Sequence, residues 1–455
     1  VERLVARIPI PKGYNESENL PRTKRSLLNG WNDGNGKFVG RPGIATIADT
    51  ALVARGQFVW NGSLYQVGSE SLIKITNITT GAFSVIGAIT GSAPIQTAVG
   101  FNTAVIVVPG STIYTLDKSD TLVDITGNTN FVACADVCHI NGRFVYIPSS
   151  GDPAFFSDVG AAGTVQGLSF FDAEELPDKN KTCFNFGNVL YVGGSDSFEL
   201  FRDSGATPNP FLRVNGARIN NGFIGGLLEY NQTFLFIGRE KDQDFGIYAI
   251  GQGNAPKISN QGIDLILKNY TIEELSEALP GRIKWRGFDI ATFTFRSDSF
   301  GFFGGEWFLL DTVENGTSRP WNAGYIVQFD GKYYASESSK FGRFDNISTD
   351  YGERITRRIV TGMEEENGDY FSLQRIELGI SQGFNSASGS VALLLSRDNV
   401  TYGQPVYRDT GAIGQYCNKI EWNFPGGLGT YHGFLGVEFY TTEDILANTE
   451  YIIAE

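Results

Sequence analysis

Phe58-Val59-Trp60-Asn61-Gly62-Ser63-Leu64-Tyr65-Gln66-Val67 holds the pattern that decides the fold: an apolar stretch, an Asn-Gly turn and an alternating aromatic strand. Asn-Gly is the strongest short hairpin signal, because both central residues of a type I′ turn need positive φ. The pattern recurs. Thr97-Ala98-Val99 leads through Gly100-Phe101-Asn102 into Thr103-Ala104-Val105-Ile106-Val107, and Cys138-His139-Ile140 leads through Asn141-Gly142 into Arg143-Phe144-Val145-Tyr146-Ile147. Further copies run through Gly187-Asn188, Asn231 and Asp330-Gly331, and a weaker one spans Arg286-Gly287-Phe288-Asp289. The turn positions 62, 102, 142, 188, 231, 289 and 331 are separated by 40, 40, 46, 43, 58 and 42 residues. One propeller blade takes about 40–50 residues. Each copy has a second strand pair further on, such as Leu72-Ile73-Lys74-Ile75 or Ile113-Tyr114-Thr115-Leu116, and so supplies the four strands a blade needs. The expected fold is all-β, a β-propeller over residues 51–350. Seven turns fit seven blades, or six blades and a closing piece; six is preferred.

Both ends leave the repeat. Residues 1–50 carry Arg22-Thr23-Lys24-Arg25 and a Gly-rich stretch at 29–36, and read as an extended N-terminal arm ending at Arg41-Pro42-Gly43-Ile44. From about 351 the period is lost. Alternating or apolar runs at 373–380, 389–396, 418–424 and 433–440 predict a β-sandwich-like C-terminal domain over 351–455. The long interval between turns 231 and 289 holds a helical insertion near 254–282. Thr271-Ile272-Glu273-Glu274 reads as a capping box, in which the Thr hydroxyl accepts from the amide three residues on and the Glu reaches back. Pro280 stops the helix.

Composition agrees with many short strands and tight turns. The 455 residues include 56 Gly, 34 Phe and 19 Tyr, with only 19% charged residues against a usual 25% or so. The net charge of −14 argues against a general nucleic-acid-binding surface, since phosphate contact needs Lys and Arg. An acidic passage can still let DNA slide through without sticking. No run of 18 apolar residues exists, so no membrane span is expected, and the basic start lacks the long apolar stretch of a signal peptide. Cysteines at 134, 138, 183 and 417 form no dense framework and suggest a reducing compartment.

Chemistry is sparse. The two histidines, His139 and His432, lie near no nucleophile elbow, and the scattered Cys and His supply no zinc set. No cofactor, metal or catalytic residue is expected. A propeller glycosidase is the serious enzymatic rival and needs two carboxylates flanking the bond. Glu174-Glu175 and Glu364-Glu365-Glu366 read as solvated loops, and Ser396-Arg397-Asp398-Asn399-Val400-Thr401-Tyr402, which resembles a shortened sialidase Asp-box, is a hairpin turn. Arg354, Arg357 and Arg358 form a basic cluster at the domain junction; it could touch DNA or an acidic neighbour, or be surface charge on an edge strand.

Arg55-Gly56 with 61–67, the preceding Arg41-Pro42-Gly43-Ile44, and Asn254-Ala255-Pro256-Lys257-Ile258-Ser259-Asn260 with the Thr271 helix resemble the packaged-DNA stabilisation proteins of short-tailed bacteriophages, also called tail hub proteins or tail accessory factors. Trp321-Asn322-Ala323-Gly324 and Asp350-Tyr351-Gly352-Glu353-Arg354-Ile355-Thr356-Arg357 resemble that family's last blade and exit. The resemblance implies a non-enzymatic virion protein of the tail, assembled in the host cytoplasm as a homo-hexamer. It implies a place below the portal adaptor, retention of packaged DNA and a part in the ejection channel. The partners implied are the adaptor, a tail needle, tailspikes or fibres, and genomic DNA that passes without specific binding. Candidate partner contacts are Arg22, Lys24 and Arg25 in the arm, Thr271 and Glu274 on the insertion, and Arg354, Arg357 and Arg358. The alternative is a receptor- or carbohydrate-binding propeller of the tail, with Trp285, Trp307, Trp321 and Trp422 as candidate sugar platforms.

Overall fold

The computed structural model describes residues 6–17, 24–172, 178–241, 243–251, 253–314, 316–365, 372–380, 389–412, 414–416, 419–429, 434–441 and 448–454. Among these, seven antiparallel sheets follow one another along the chain. Blade 1 is Ala54–Trp60, Ser63–Gly68, Ser71–Asn77 and Ala82–Ala88. Blades 2, 3 and 4 repeat this four-strand meander, with inner strands Gln96–Val99, Cys134–Ile140 and Asn180–Phe186. Blade 5 has three strands, beginning at Asn221–Tyr230, and blade 6 begins at Leu279–Trp285.

Blade 7 supplies three strands of its own, Tyr325–Phe329, Lys332–Glu337 and Lys340–Asp345. Its fourth is Gly43–Asp49, which pairs antiparallel with Lys340–Asp345, Ile44 opposite Phe344. The inner strand of blade 7 packs against those of blades 6 and 1, which closes the ring. The count is therefore seven, not the six preferred from sequence. Asp330-Gly331 belongs to a full blade, and the closing strand comes from the N-terminal segment. Residues 43–49 thus belong to the ring rather than to an arm.

The turns explain why the repeat was visible. Asn61-Gly62, Asn141-Gly142, Gly187-Asn188, Asn231-Gln232 and Asp330-Gly331 all have positive φ at both positions, as type I′ hairpins demand. Blade 6 departs from the reading: its turn is Arg286-Gly287 (φ 49° and 87°), and Asp289 lies in the next strand, opposite Lys284. The Phe and Tyr content packs the blades. Phe58 stacks on its cross-strand partner Tyr65 at 5.3 Å, and Phe184 on Tyr191 at 4.9 Å, at the same place in blades 1 and 4. Such pairs add about 0.5–1.5 kcal/mol beyond the area they bury. Most apolar clusters lie between successive blades, so each blade is buried by its neighbours.

The C-terminal strands form two sheets that share one core. One runs Gly30–Asn32, Phe38–Gly40, Asn448–Ala454, Ser372–Ile380, Ile420–Gly429, with Ala6–Ile8 also on Asn448–Ala454. The other runs Ser26–Leu28, Arg357–Glu365, Phe434–Thr441, Ser390–Ser396, Val406–Asp409. Trp31, Phe38, Ile376, Trp422 and Ile452 from the first meet Leu27, Ile359, Leu393 and Phe439 from the second. Leu28 also pairs with Leu309, so the second sheet continues into blade 6. The N-terminal segment is the stitch between ring and sandwich.

Candidate functional site

Three places in this frame carry polar chemistry: the seam where the chain closes, a basic patch on the sandwich, and the cavity on the propeller axis.

At the seam, Arg41 is 3% exposed. Its two terminal nitrogens donate to the Asp350 carboxylate at 2.9 and 2.5 Å, and its Nε donates to Asn29 Oδ1 at 2.8 Å. The remaining donors reach the carbonyls of Pro42 (3.1 Å) and Asp311 (2.9 Å), and the guanidinium lies over the Trp321 ring at 4.9 Å. Asn29, held at φ 57°, donates to Asp311 Oδ1 at 2.5 Å and to the Thr356 carbonyl at 2.7 Å. One buried cation thus joins the N-terminal segment, the exits of blades 6 and 7, and the entry to the sandwich. Gly43 is required here, because a Cβ would stand 2.3 Å from the Thr349 carbonyl oxygen. Arg41-Pro42-Gly43-Ile44 and Asp350-Tyr351-Gly352, read separately in the sequence, are two halves of one joint.

The sequence-nominated contacts divide. Arg22 lies outside the described residues. Lys24 pairs with Glu16 at 3.2 Å, and Arg25 is exposed, its backbone bridged to Asn15. Arg358 binds Glu438 at 3.1 Å, and Lys24 lies close enough to act on the same carboxylate, which burial raises. Strand pairing therefore brings Lys24, Arg25 and Arg358 onto one part of the sandwich. Arg354 is exposed. Arg357 is 3% exposed and donates to the Arg41 carbonyl at 3.2 Å. The reading of 354, 357 and 358 as one surface cluster on an edge strand fails on geometry. Arg357–Glu365 is flanked on both sides by strands, and alternation sends Arg357 inward and Arg358 outward. Thr271 and Glu274 form the capping box, at 3.2 and 3.1 Å, and Glu274 also receives Arg296 at 3.0 Å. Their polar groups are engaged within the chain.

The axial cavity has a volume of about 740 Å³ and is lined by residues from all seven inner strands, among them Gln57, Val99, Asp136, Lys181, Phe223 and Tyr325. Residues 276–280, which leave the helix Ile272–Ser276, form part of its wall and pack on Gly225. Asp136 accepts from Thr182 Oγ1 (2.6 Å), Cys183 N (3.1 Å) and Val137 N (2.8 Å), and so ties blade 3 to blade 4. Burial outweighs those bonds and pushes its carboxyl up to about 6. Burial also lowers His139 and Lys181 from their ordinary values. No sequence signal marked Asp136 or Lys181.

Elsewhere the polar groups serve turns. Asp398 accepts from the amides of Thr401 and Val400 at 2.7 and 2.9 Å, which hold its carboxyl down to about 2, and its hairpin is a brace. No group of three His, Cys, Asp or Glu able to hold a metal occurs among the described residues, and no helix among them is long and apolar enough to cross a membrane.

A closed propeller with its own N-terminal segment as clasp, continuous with a sandwich, defines a rigid all-β scaffold with loops at both rims. The chain belongs to the family described as bacteriophage P22 Gp10, β-propeller, which matches residues 6–349. Tail hub protein gp10 of Salmonella phage P22 is 20% identical over 443 residues, covering 91% of this chain and 90% of that one. The protein is accordingly a structural component of a phage tail. Among solved structures, virginiamycin B lyase from Staphylococcus aureus is 11% identical with a TM-score of 0.42, covering 66% of this chain and 97% of that one. PorZ from Porphyromonas gingivalis is 8% identical with a TM-score of 0.38, covering 73% of this chain and 44% of that one.

Proposed function

We propose that this chain is the tail hub, or nozzle, of a short-tailed phage, attached below the portal and its adaptor, where it helps retain packaged DNA and forms part of the ejection channel. The observation that carries this reading is the near full-length similarity to a tail hub protein, on a chain whose conspicuous polar network is a clasp. In this reading the propeller axis, which holds a cavity of about 740 Å³ lined by all seven inner strands, is not the DNA path. The channel therefore lies between subunits of a ring, a homo-hexamer in this reading. The net charge of −14 suits a wall that repels the phosphate backbone.

Ring contacts come from edges the chain leaves open. The outer strand of blade 6 is paired by Ser26–Leu28, and that of blade 7, Gly43–Asp49, is bridged at Ile44 by Asp350. The outer strands of blades 1 to 4 carry exposed Phe83 and Val85, Val123, Phe170 and Leu212. Lys24, Arg25 and Arg358, with Arg354 and Arg22, remain the proposed basic contacts for the adaptor, needle or tailspikes. The carbohydrate reading is not favoured by its platforms: Trp307, Trp321 and Trp422 are each at most 2% exposed, and Trp285 is partly buried against the core. Sedimentation of the purified chain with and without the adaptor ring tests the assembly. A closed oligomer on the adaptor is expected; a monomer in both conditions would reject the ring.

A further inference from the structure

We propose that the axial cavity is a binding site for a small organic anion, held at its carboxylate or phosphate by Lys181. The cavity, about 740 Å³, lies within the range of small-molecule sites, roughly 300–1,000 Å³. Its wall mixes polar and apolar surface, with Ile95, Val99, Phe184, Phe223 and Ile326 beside Gln57, Asp136 and Lys181. Apolar side chains can take the body of a ligand while a few placed polar groups fix its orientation.

Lys181 stands at a bulge, where the register between Asn180–Phe186 and its neighbour shifts between Asn180 and Thr182. Bulges re-aim the side chain they carry. The lysine is half-buried in the lining and makes no hydrogen bond or ion pair with any described residue. The carboxylate on the neighbouring inner strand, Asp136, is already engaged by Thr182, Cys183 and Val137. Asp196 and Glu273 act on Lys181 at a distance without pairing, and Arg239 adds positive charge. A half-buried ammonium without a partner is costly, and an anionic ligand removes that cost. Further along the same strand, Asn185 donates through Nδ2 to the His139 carbonyl at 3.4 Å, but its buried Oδ1 has no donor. A ligand with an acid group, an apolar body and a hydroxyl or amine would satisfy both. The site is independent of the tail-hub reading.

The test is titration calorimetry on the full chain with 4-hydroxybenzoate as probe and 4-hydroxybenzyl alcohol as its uncharged match. One molecule bound per chain is expected, with at least tenfold weaker binding of the alcohol and at least tenfold weaker binding of 4-hydroxybenzoate to Lys181→Met. Asn185→Ala should weaken 4-hydroxybenzoate several-fold, and the alcohol comparison needs no variant at all. Equal affinity for acid and alcohol, equal affinity in folded Lys181→Met, or no heat up to about 10 mM probe overturns the proposal.

Discussion

Arg41→Ala strikes the seam that holds ring and sandwich together. The substitution leaves Asp350, 1% exposed, as a buried carboxylate without its cation. It also strips donors from Asn29 Oδ1 and from the Pro42 and Asp311 carbonyls, and removes the group packed over Trp321. Breaking a buried pair by removing one partner costs about 3–5 kcal/mol, because the other charge stays desolvated. Asp350 keeps a weak contact from Thr312 Oγ1 at 3.4 Å, too long to offset that loss. Urea unfolding followed by tryptophan fluorescence measures it, since Trp321 reports the seam directly. Limited proteolysis should show new cleavage near 350–357. Replacing both partners with apolar residues, Arg41→Met with Asp350→Leu, should recover much of the loss, since no buried charge remains. A loss below about 1 kcal/mol for Arg41→Ala, or a double variant no better than the single, would refute the reasoning.

Asp136→Asn tests the axial carboxylate. Its folded value of about 6 exceeds the ordinary 3.8, so the folded chain takes the proton more readily than the unfolded chain, and the stability this lends below about 4 is lost as pH rises through 6. At about 1.4 kcal/mol per unit the ceiling is about 3 kcal/mol, so Asp136→Asn, whatever it costs in hydrogen bonds at every pH, should remove up to that much of the stability difference between about pH 4 and about pH 8, read from urea midpoints; an unchanged pH dependence would contradict it. Gly43→Ala should cost several kcal/mol or prevent folding, because the neighbour at 2.3 Å is a backbone carbonyl that cannot turn aside; a thermal melt within a few degrees of wild type would contradict that. Introducing Asp at Phe83, Phe170 and Leu212 together should leave the melt nearly unchanged and abolish ring assembly in sedimentation; intact rings would move the interface elsewhere. Deleting residues 1–40 should release the sandwich as well as impair assembly, because Gly30–Asn32, Phe38–Gly40 and Ser26–Leu28 lie in its two sheets; hydrogen exchange across 372–380 and 448–454 would show it.

The legible part of the fold was the part fixed locally. Asn61-Gly62 and Asp330-Gly331 announce their hairpins because few other residues accept positive φ twice in succession. Blade 6 was misplaced by two residues because Arg286, an unusual occupant of that conformation, hides the turn. The pairing of Gly43–Asp49 with Lys340–Asp345 joins segments nearly 300 residues apart, and no periodicity spans that distance. Hence six blades and a free arm were expected. Arg41 stood out only through a short motif; its partner Asp350 is known from the fold alone. Arg357 and Arg358 are adjacent in sequence but lie on opposite faces, which alternation allows and only the position of the strand within its sheet decides. Lys181 owes its place to a bulge, and a bulge leaves no residue signature in so Gly- and Asn-rich a chain.

The most direct test of the tail-hub account is the DNA content of particles made without this chain, before and after the purified protein is added back. The account predicts heads that lose their DNA and that retain it once the protein is restored. Full, stable particles that fail only to adsorb to host cells would contradict it and would return the receptor-binding propeller to the front.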